Sequence, residues 1–215
     1  YGGQFRNEGY EVSRDDISTQ TLDPLTGELT TADLIFLGGG IEGSFQRDSY
    51  AAFAEASVAL TDSLEMNIAA RYESLETDSS LDPKIALRWQ ATDNVVVRAS
   101  MSTAFREASL VQQYNQGTSL QGLVDVGATG ALFVRVLAEG SRDLKPETST
   151  NTNLGVIWSP SDNFDFRVDY WKFDYEDVIT VQNAQGLLTA DPNGPNVSRV
   201  NGVLNGIKVA YINAA

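Results

Sequence analysis

Cysteine and histidine are both missing from the 215 residues. The first absence excludes disulfides and thiolate metal sites, and the second excludes His-based catalytic triads, imidazole zinc ligands and imidazole proton relays. Long hydrophobic runs are missing too: nothing approaches the roughly 20 apolar residues of a membrane helix. "YGGQFRNEGYEV" has neither the basic nor the apolar region of a signal peptide, so the expectation is that any export signal lies upstream of it. Basic residues are scarce, with 15 Lys and Arg against 29 Asp and Glu for a net charge of -14, which argues against nucleic-acid binding. Between residues 8 and 33, Glu8, Glu11, Asp15, Asp16, Asp23, Glu28 and Asp33 outweigh Arg14. That stretch reads either as a solvated loop or as a surface for divalent cations or cationic ligands.

What is present is alternation. From Leu64, the set Leu64, Met66, Ile68, Ala70 and Tyr72 interleaves with Glu65, Asn67, Ala69, Arg71 and Glu73. Residues 83 to 90 and 95 to 102 repeat the pattern. Period two is the mark of a strand with one apolar face, and that face packs either on a protein core or on lipid. A mean hydropathy of -0.20 does not decide, because alternation averages away an apolar surface. Strands are expected at Gly3 to Tyr10, Ser49 to Leu60, Leu64 to Leu75, Pro83 to Gln90, Asn94 to Phe105, Thr148 to Trp158, Phe164 to Tyr175 and Val203 to Ile212. No window has the spacing of a long amphipathic helix. Several strands reach ten residues or more, against about 5 to 6 in soluble sheets.

Loop length separates the two environments. "TDS" (61 to 63), "ATDN" (91 to 94) and "SPSDN" (159 to 163) are short polar turns, whereas the alternate connections, 11 to 48, 76 to 82, 106 to 147 and 176 to 202, are longer. In a meander, alternate connections lie at opposite ends, so one rim carries turns and the other carries large loops, as in an outer-membrane barrel. Structureless loops of that length also count against a compact soluble domain. On the apolar face, Tyr50, Tyr72 and Phe105 fall beside the long loops, and Trp89, Trp158 and Phe164 beside the short turns. Two aromatic girdles around a band of smaller apolar residues are what a lipid-facing surface requires. The other face, with Glu55, Glu65, Asn67, Arg71, Lys84, Arg88, Arg98, Asn151, Asn153, Asp165, Arg167 and Asp169, lines the lumen in this reading.

Three stretches, in order, resemble the TonB-dependent outer-membrane receptors: "YAAFAEASVALTDSLEMNIAARYE", "PKIALRWQATDNVVVRASMSTAFREASLVQQY" and "RDLKPETSTNTNLGVIWSPSDNFDFRVDYWKFDYEDVI". The most specific match is Leu144, Lys145, Pro146 and Glu147, and together the stretches span roughly residues 45 to 180. Glu107 and Ala108 depart from the Ala-Pro usual there. Nothing resembles the plug domain, the TonB box or the terminal aromatic strand. The expectation is therefore an all-β chain, about eight strands of a larger antiparallel up-and-down transmembrane β-barrel, with residues 1 to 215 all part of that one domain and the plug, signal peptide and barrel C-terminus outside it.

The resemblance implies a bacterial outer-membrane receptor, not an enzyme, that takes up a scarce bulky nutrient such as a siderophore, a cobalamin or an oligosaccharide. Its implied partners are outer-membrane lipid, the plug of the same full-length chain, the TonB complex and the ligand. No cofactor or metal is implied. Ligand contacts are sought at Gln113 and Tyr114 in the loop 106 to 147, in the loop 176 to 202, and at Arg71, Glu73 and Lys84 on the lumen wall. Two other readings stand beside this one: a small closed barrel of structural or adhesive role, and a soluble β-sandwich that binds a partner. "GGGIEG" (38 to 43) lacks the remainder of a phosphate loop, and "DPNGP" is turn chemistry.

Overall fold

A computed structural model describes residues 1–13, 20–22, 29–31, 42–76, 78–114 and 116–214. In chain order the elements are β1 (Gly2–Val12), β2 (Gln20–Leu22), β3 (Leu29–Thr31), β4 (Gly43–Thr61), β5 (Leu64–Ser74), β6 (Ser79–Thr92), β7 (Val95–Arg106), α1 (Leu110–Tyr114), β8 (Gln116–Val124), β9 (Ala131–Glu139), β10 (Glu147–Ser161), β11 (Phe164–Glu176), β12 (Val178–Val181), α2 (Ala184–Ala190), β13 (Val197–Val200) and β14 (Val203–Ala214). Of the acidic stretch, Asp15, Asp16, Asp23, Glu28, Asp33 and Arg14 lie outside the described residues, as does most of the Gly38 to Gly43 run.

Seven long strands form one antiparallel sheet in the order β1-β4-β5-β6-β7-β10-β11, a segment of barrel wall with β1 and β11 as its edges. Strands β4 and β5, β6 and β7, and β10 and β11 join through two-residue turns at Asp62-Ser63, Asp93-Asn94 and Asp162-Asn163. Each turn follows a one-step register slip, at Ala59/Thr61, Gln90/Thr92 and Trp158/Ser161. Thr61 and Thr92 help close the first two, their Oγ1 atoms accepting from the amides of Ser63 and Asn94 at 3.3 Å. These short polar residues bond to nearby backbone, which is why they end strands. The three short turns expected above are thus realised, but the connection 76 to 82 is not a long loop, because β6 already begins at Ser79 and only residues 75 to 78 join it to β5.

The wall has no apolar interior. All of the buried hydrophobic residues among those described lie outside its seven strands, and its buried polar or charged residues are Arg47, Ser49 and Glu73. On one face Ile68, Leu87, Val156 and Val168 are exposed, with Tyr72, Trp89, Trp158 and Phe164 near the strand ends; Tyr50, expected at a strand end, lies seven residues inside β4, level with the end of β5. On the other, Asn67 Nδ2 donates to Glu55 and Ser57 at 2.8 and 3.0 Å, and Arg98 pairs with Asp169 at 2.7 Å. A sandwich would have packed the first face on a second sheet, and no described element covers it.

Two further expectations need correction. The strand at 203 to 214 is not an eighth wall strand: β14 belongs to a second sheet, β12-β14-β9-β8, with β13 on its flank. And the connections 106 to 147 and 176 to 202 are not structureless, since they supply β8, β9, β12, β13 and both helices. Leu123, Val134, Val136, Ala184, Leu188, Leu204, Ile207 and Val209 form the core of this outer layer. The helices escape a periodicity search because they have five and seven residues. Their caps are nonetheless written in the chain. Ser109 and Gln112 make a reciprocal capping box, Gln112 N donating to Ser109 Oγ at 3.2 Å and Ser109 N to Gln112 Oε1 at 3.0 Å, and Asn183 Oδ1 accepts from Gly186 N at 2.7 Å.

Candidate binding face of the lumen

The polar face of the wall and the segment after β7 border an open cavity of about 770 Å³. Arg71, Glu73 and Lys84, from β5 and β6, line it together, alongside Arg6, Glu8, Arg47 and Glu107. Pairing organises most of these charges. Glu73, whose side chain is nearly buried, holds Arg71 at 2.6 Å and Arg6 at 3.2 Å, and Arg71 also donates to Gln4 at 2.8 Å. Lys84 has no ion-pair partner among the described residues.

Arg47 is the pivot of the rim. Its side chain, 6% exposed, meets Glu8 at 2.6 Å and Glu107 at 3.2 Å and donates from Nη1 to Ala108 O at 2.6 Å. It thereby ties the segment that follows β7 to β4, three strands away on the sheet. Glu107, 7% exposed, receives the ion pair without an aligned hydrogen bond. Burial raises its carboxyl pKa, Arg47 opposes that rise, and Glu8 adds to it.

Gln113 and Tyr114 are positioned differently. Gln113 is buried, and its backbone packs so tightly on Gly140 that a Cβ there would stand 2.7 Å from Gln113 carbonyl atoms. Tyr114 stacks on Phe45 with centroids 4.4 Å apart, under Arg142 at 5.1 Å. Tyr114 thus docks the segment onto β4 and Gln113 packs it on Gly140, while Arg71, Glu73 and Lys84 line the cavity. Phe105 is half-buried and borders the cavity, unlike the five open-face rings.

The Leu-Lys-Pro-Glu stretch joins wall to outer layer. Leu144 is buried with Ala108 and Ile179. The Lys145 backbone is clasped by the Asn213 amide, N to Oδ1 and Nδ2 to O, both at 2.9 Å. Glu147 accepts from Arg106 Nε at 2.5 Å and from Ile179 N at 2.6 Å. Sequence reading singled out this motif but not its partners Asn213, Arg106 and Ile179, because the pairing is long-range. Arg47 and Glu107 were missed for the same reason, and the signal for Glu107 was its departure from the usual Ala-Pro.

A wall that is apolar outside, charged inside, turned at one rim and capped at the other is that of a transmembrane β-barrel receptor. The chain belongs to the family described as TonB dependent receptor-like, beta-barrel, whose profile matches residues 1–208. That is a family of outer-membrane transport receptors rather than of enzymes. The chain is 24% identical over 148 residues to a probable TonB-dependent siderophore receptor, PirA, of Acinetobacter baumannii, covering 68% of this chain and 19% of that protein. Its fold is similar to the solved siderophore receptor PirA from Acinetobacter baumannii (TM-score 0.66, 17% identity, 99% of this chain and 29% of that one). It is also similar to the ferric enterobactin receptor from Pseudomonas aeruginosa solved with enterobactin (TM-score 0.68, 16% identity, 98% and 28%). The chain thus spans about a fifth of the curated relative's length and under a third of these solved receptors.

Proposed function

We propose that the intact protein is a bacterial outer-membrane receptor that takes up a ferric siderophore, with a plug domain of the same chain filling the lumen and the TonB complex supplying energy. The single observation carrying this reading is the two-sided wall: an unpacked apolar face backed by a charged face with a 770 Å³ cavity at its loop end. Family membership and the siderophore receptors among its relatives support the ligand class. No feature of the wall favours a cobalamin or an oligosaccharide.

Arg71, Glu73 and Lys84 are candidate contacts for ligand or plug, and Gln113 and Tyr114 support the rim that presents them. Tyr50 and Tyr72 sit at the outer interface of the bilayer and Trp89, Trp158 and Phe164 at the inner one, where amphipathic rings are favoured; Phe105 closes the outer girdle at the cavity edge. A small closed barrel is disfavoured by a sheet whose edges β1 and β11 do not pair, and a soluble sandwich by the uncovered apolar face.

The test is uptake of radio-iron siderophores by cells with and without the gene. Deletion should abolish accumulation of one ferric siderophore, and collapsing the proton gradient in the parent strain should do the same. Accumulation that survives the protonophore would overturn the proposal.

A further inference from the structure

We propose that Glu8, Arg47 and Glu107 form a proton-operated latch that fastens the segment 107–114 to the barrel wall, closed when Glu107 is protonated and loosened when it is ionised. The latch is independent of which ligand the receptor carries.

Glu8 on β1, Arg47 on β4 and Glu107 just after β7 line the lumen cavity of about 770 Å³, and the same three line a second open cavity of about 400 Å³ that Tyr10, Ser109, Leu110 and Val111 help to form. They are the partition between the two. Arg47 does the fastening, reaching Glu8 at 2.6 Å, Glu107 at 3.2 Å and the Ala108 carbonyl at 2.6 Å from one nearly buried guanidinium. Since α1 begins at Leu110, two residues after Ala108, these bonds hold the start of the segment that carries it.

Within the trio Glu107 is the weak member. Its side chain is 7% exposed, yet neither oxygen has an aligned hydrogen bond among the described residues, whereas Arg47 keeps Glu8 and Ala108 as partners even without it. An ionised carboxylate in such a place has lost its water and gained one ion pair with a cation shared three ways. A neutral carboxyl is spared that loss.

The surroundings act in the same direction. Burial, the largest influence, favours the neutral form, as do Glu8 of β1 and Glu73 of β5, while Arg47 of β4 and Arg6 of β1 oppose it, and the carboxyl pKa accordingly stands above its ordinary value. The other charged groups of these walls have partners of their own or lie on another strand: Arg71 is paired with Glu73 and Arg106 with Glu147, Asp82 of β6 accepts from Ser80 and Thr103, Lys84 is on β6, and Tyr10 of β1 borders the second cavity. Releasing the segment returns Glu107 to water and to the ordinary carboxylate range. The docked form therefore holds the proton more tightly than the released one, so the attachment is firmest below that range and weakens as pH rises through the raised docked value. Acid closes the latch, and neutrality loosens it.

Loosening is not expulsion. Ala108 and Leu110 are buried, Tyr114 stacks on Phe45, and Ser141 N donates to Gln112 O at 3.0 Å, and none of these holds depends on the proton. The far end of the segment thus stays docked and is the pivot about which the Glu107 end moves. The resembling receptors usually carry Ala-Pro in place of Glu107 and Ala108, a pair with nothing to titrate, so the device belongs to this chain.

The test follows the mobility of a nitroxide in the full-length receptor in detergent, attached at Val111→Cys on α1 or, as a reference, at Val126→Cys in the β8–β9 connection, positions 39% and 68% exposed. Between about pH 5 and about pH 8 the mobile fraction of the Val111 label should grow several-fold while the Val126 label stays as it was. Glu107→Gln should hold the Val111 label immobile across that range, and Arg47→Gln should make it mobile throughout. A parent whose Val111 label ignores pH, a Glu107→Gln variant that follows the parent, or an Arg47→Gln variant as immobile as the parent in acid overturns the proposal. Equal loosening at Val126 means that the outer layer melts as a whole, and overturns it too. Iron uptake enters none of these readouts, so each of those failures leaves the receptor reading standing.

Discussion

The barrel wall and the outer layer are both sheets built from alternating residues, yet they bury opposite things. In the wall the buried side chains are polar, Arg47, Ser49 and Glu73, and hydrophobic residues such as Ile68, Leu87, Val156 and Val168 are exposed on the opposite face. In the outer layer Val136, Leu188 and Ile207 are almost wholly enclosed, and the strands pack round them as in any soluble domain. One chain therefore uses two solvents, and hydrophobic burial stabilises only the part that water surrounds.

That contrast can be broken by substitution. Leu188, fully enclosed, lies at the centre of the outer core, so Leu188→Ala should cost about 2 to 5 kcal/mol, seen as faster amide exchange in β8, β9 and β14 with exchange in β5 to β7 unchanged. Spread of the loss into the wall strands would mean that the two regions share one core. In the wall the equivalent experiment adds charge. Met66, opposite Val58 and Leu87, should lose about 2 to 4 kcal/mol as Met66→Arg, the range for a basic residue at the midplane, measured by denaturant titration in lipid. Asn67→Arg, one residue away on the lumen side, should be tolerated. Equal tolerance at both positions would refute the assignment of faces.

The smallest effect sharpens the comparison through pH. Burial raises the Glu107 pKa, so the folded chain binds that proton more tightly than the unfolded chain. This contribution is fully present below the ordinary carboxylate range and is lost as pH rises through the raised folded value. Asp125 in the outer layer is the reverse. Arg199 grips it through two bonds of 2.6 and 2.7 Å and holds its carboxyl below the ordinary value. Its contribution is present above the ordinary range and lost as pH falls through the lowered folded value. Glu107→Gln should therefore flatten the fall in rim protection toward neutrality, and Asp125→Asn should flatten the acid-side loss in the outer layer. Exchange rates across that range, compared at α1 and at the β8–β9 turn, check both.

Legibility in the sequence followed the same division. All seven wall strands were readable, because a sheet with lipid on one side and a polar lumen on the other alternates over Leu64 to Tyr72 and Val95 to Ser102, broken only by Ala69 and Val96 on the polar side. Only their ends were short, as at β4, which begins at Gly43 rather than Ser49. The outer layer was not readable. In β9, Leu132, Phe133, Val134, Val136 and Leu137 put apolar residues on both faces, so period two disappears. The grouping of Arg71, Glu73 and Lys84 followed from alternation plus loop length. The Arg47 and Glu107 contact did not, because nothing local in either segment encodes a partner 60 residues away.

The parallel ladder between β14 and β9, Gly206↔Arg135 to Ala210↔Glu139, has a consequence for biogenesis. Until residues 206 to 210 have emerged and come round, the hairpin of β8 and β9 presents a bare backbone edge beside Val134 and Val136, an invitation to intermolecular pairing. Ladders between segments so remote in sequence form late. The outermost part of the molecule should thus mature last, and a nascent chain halted before Gly206 should be the species that aggregates.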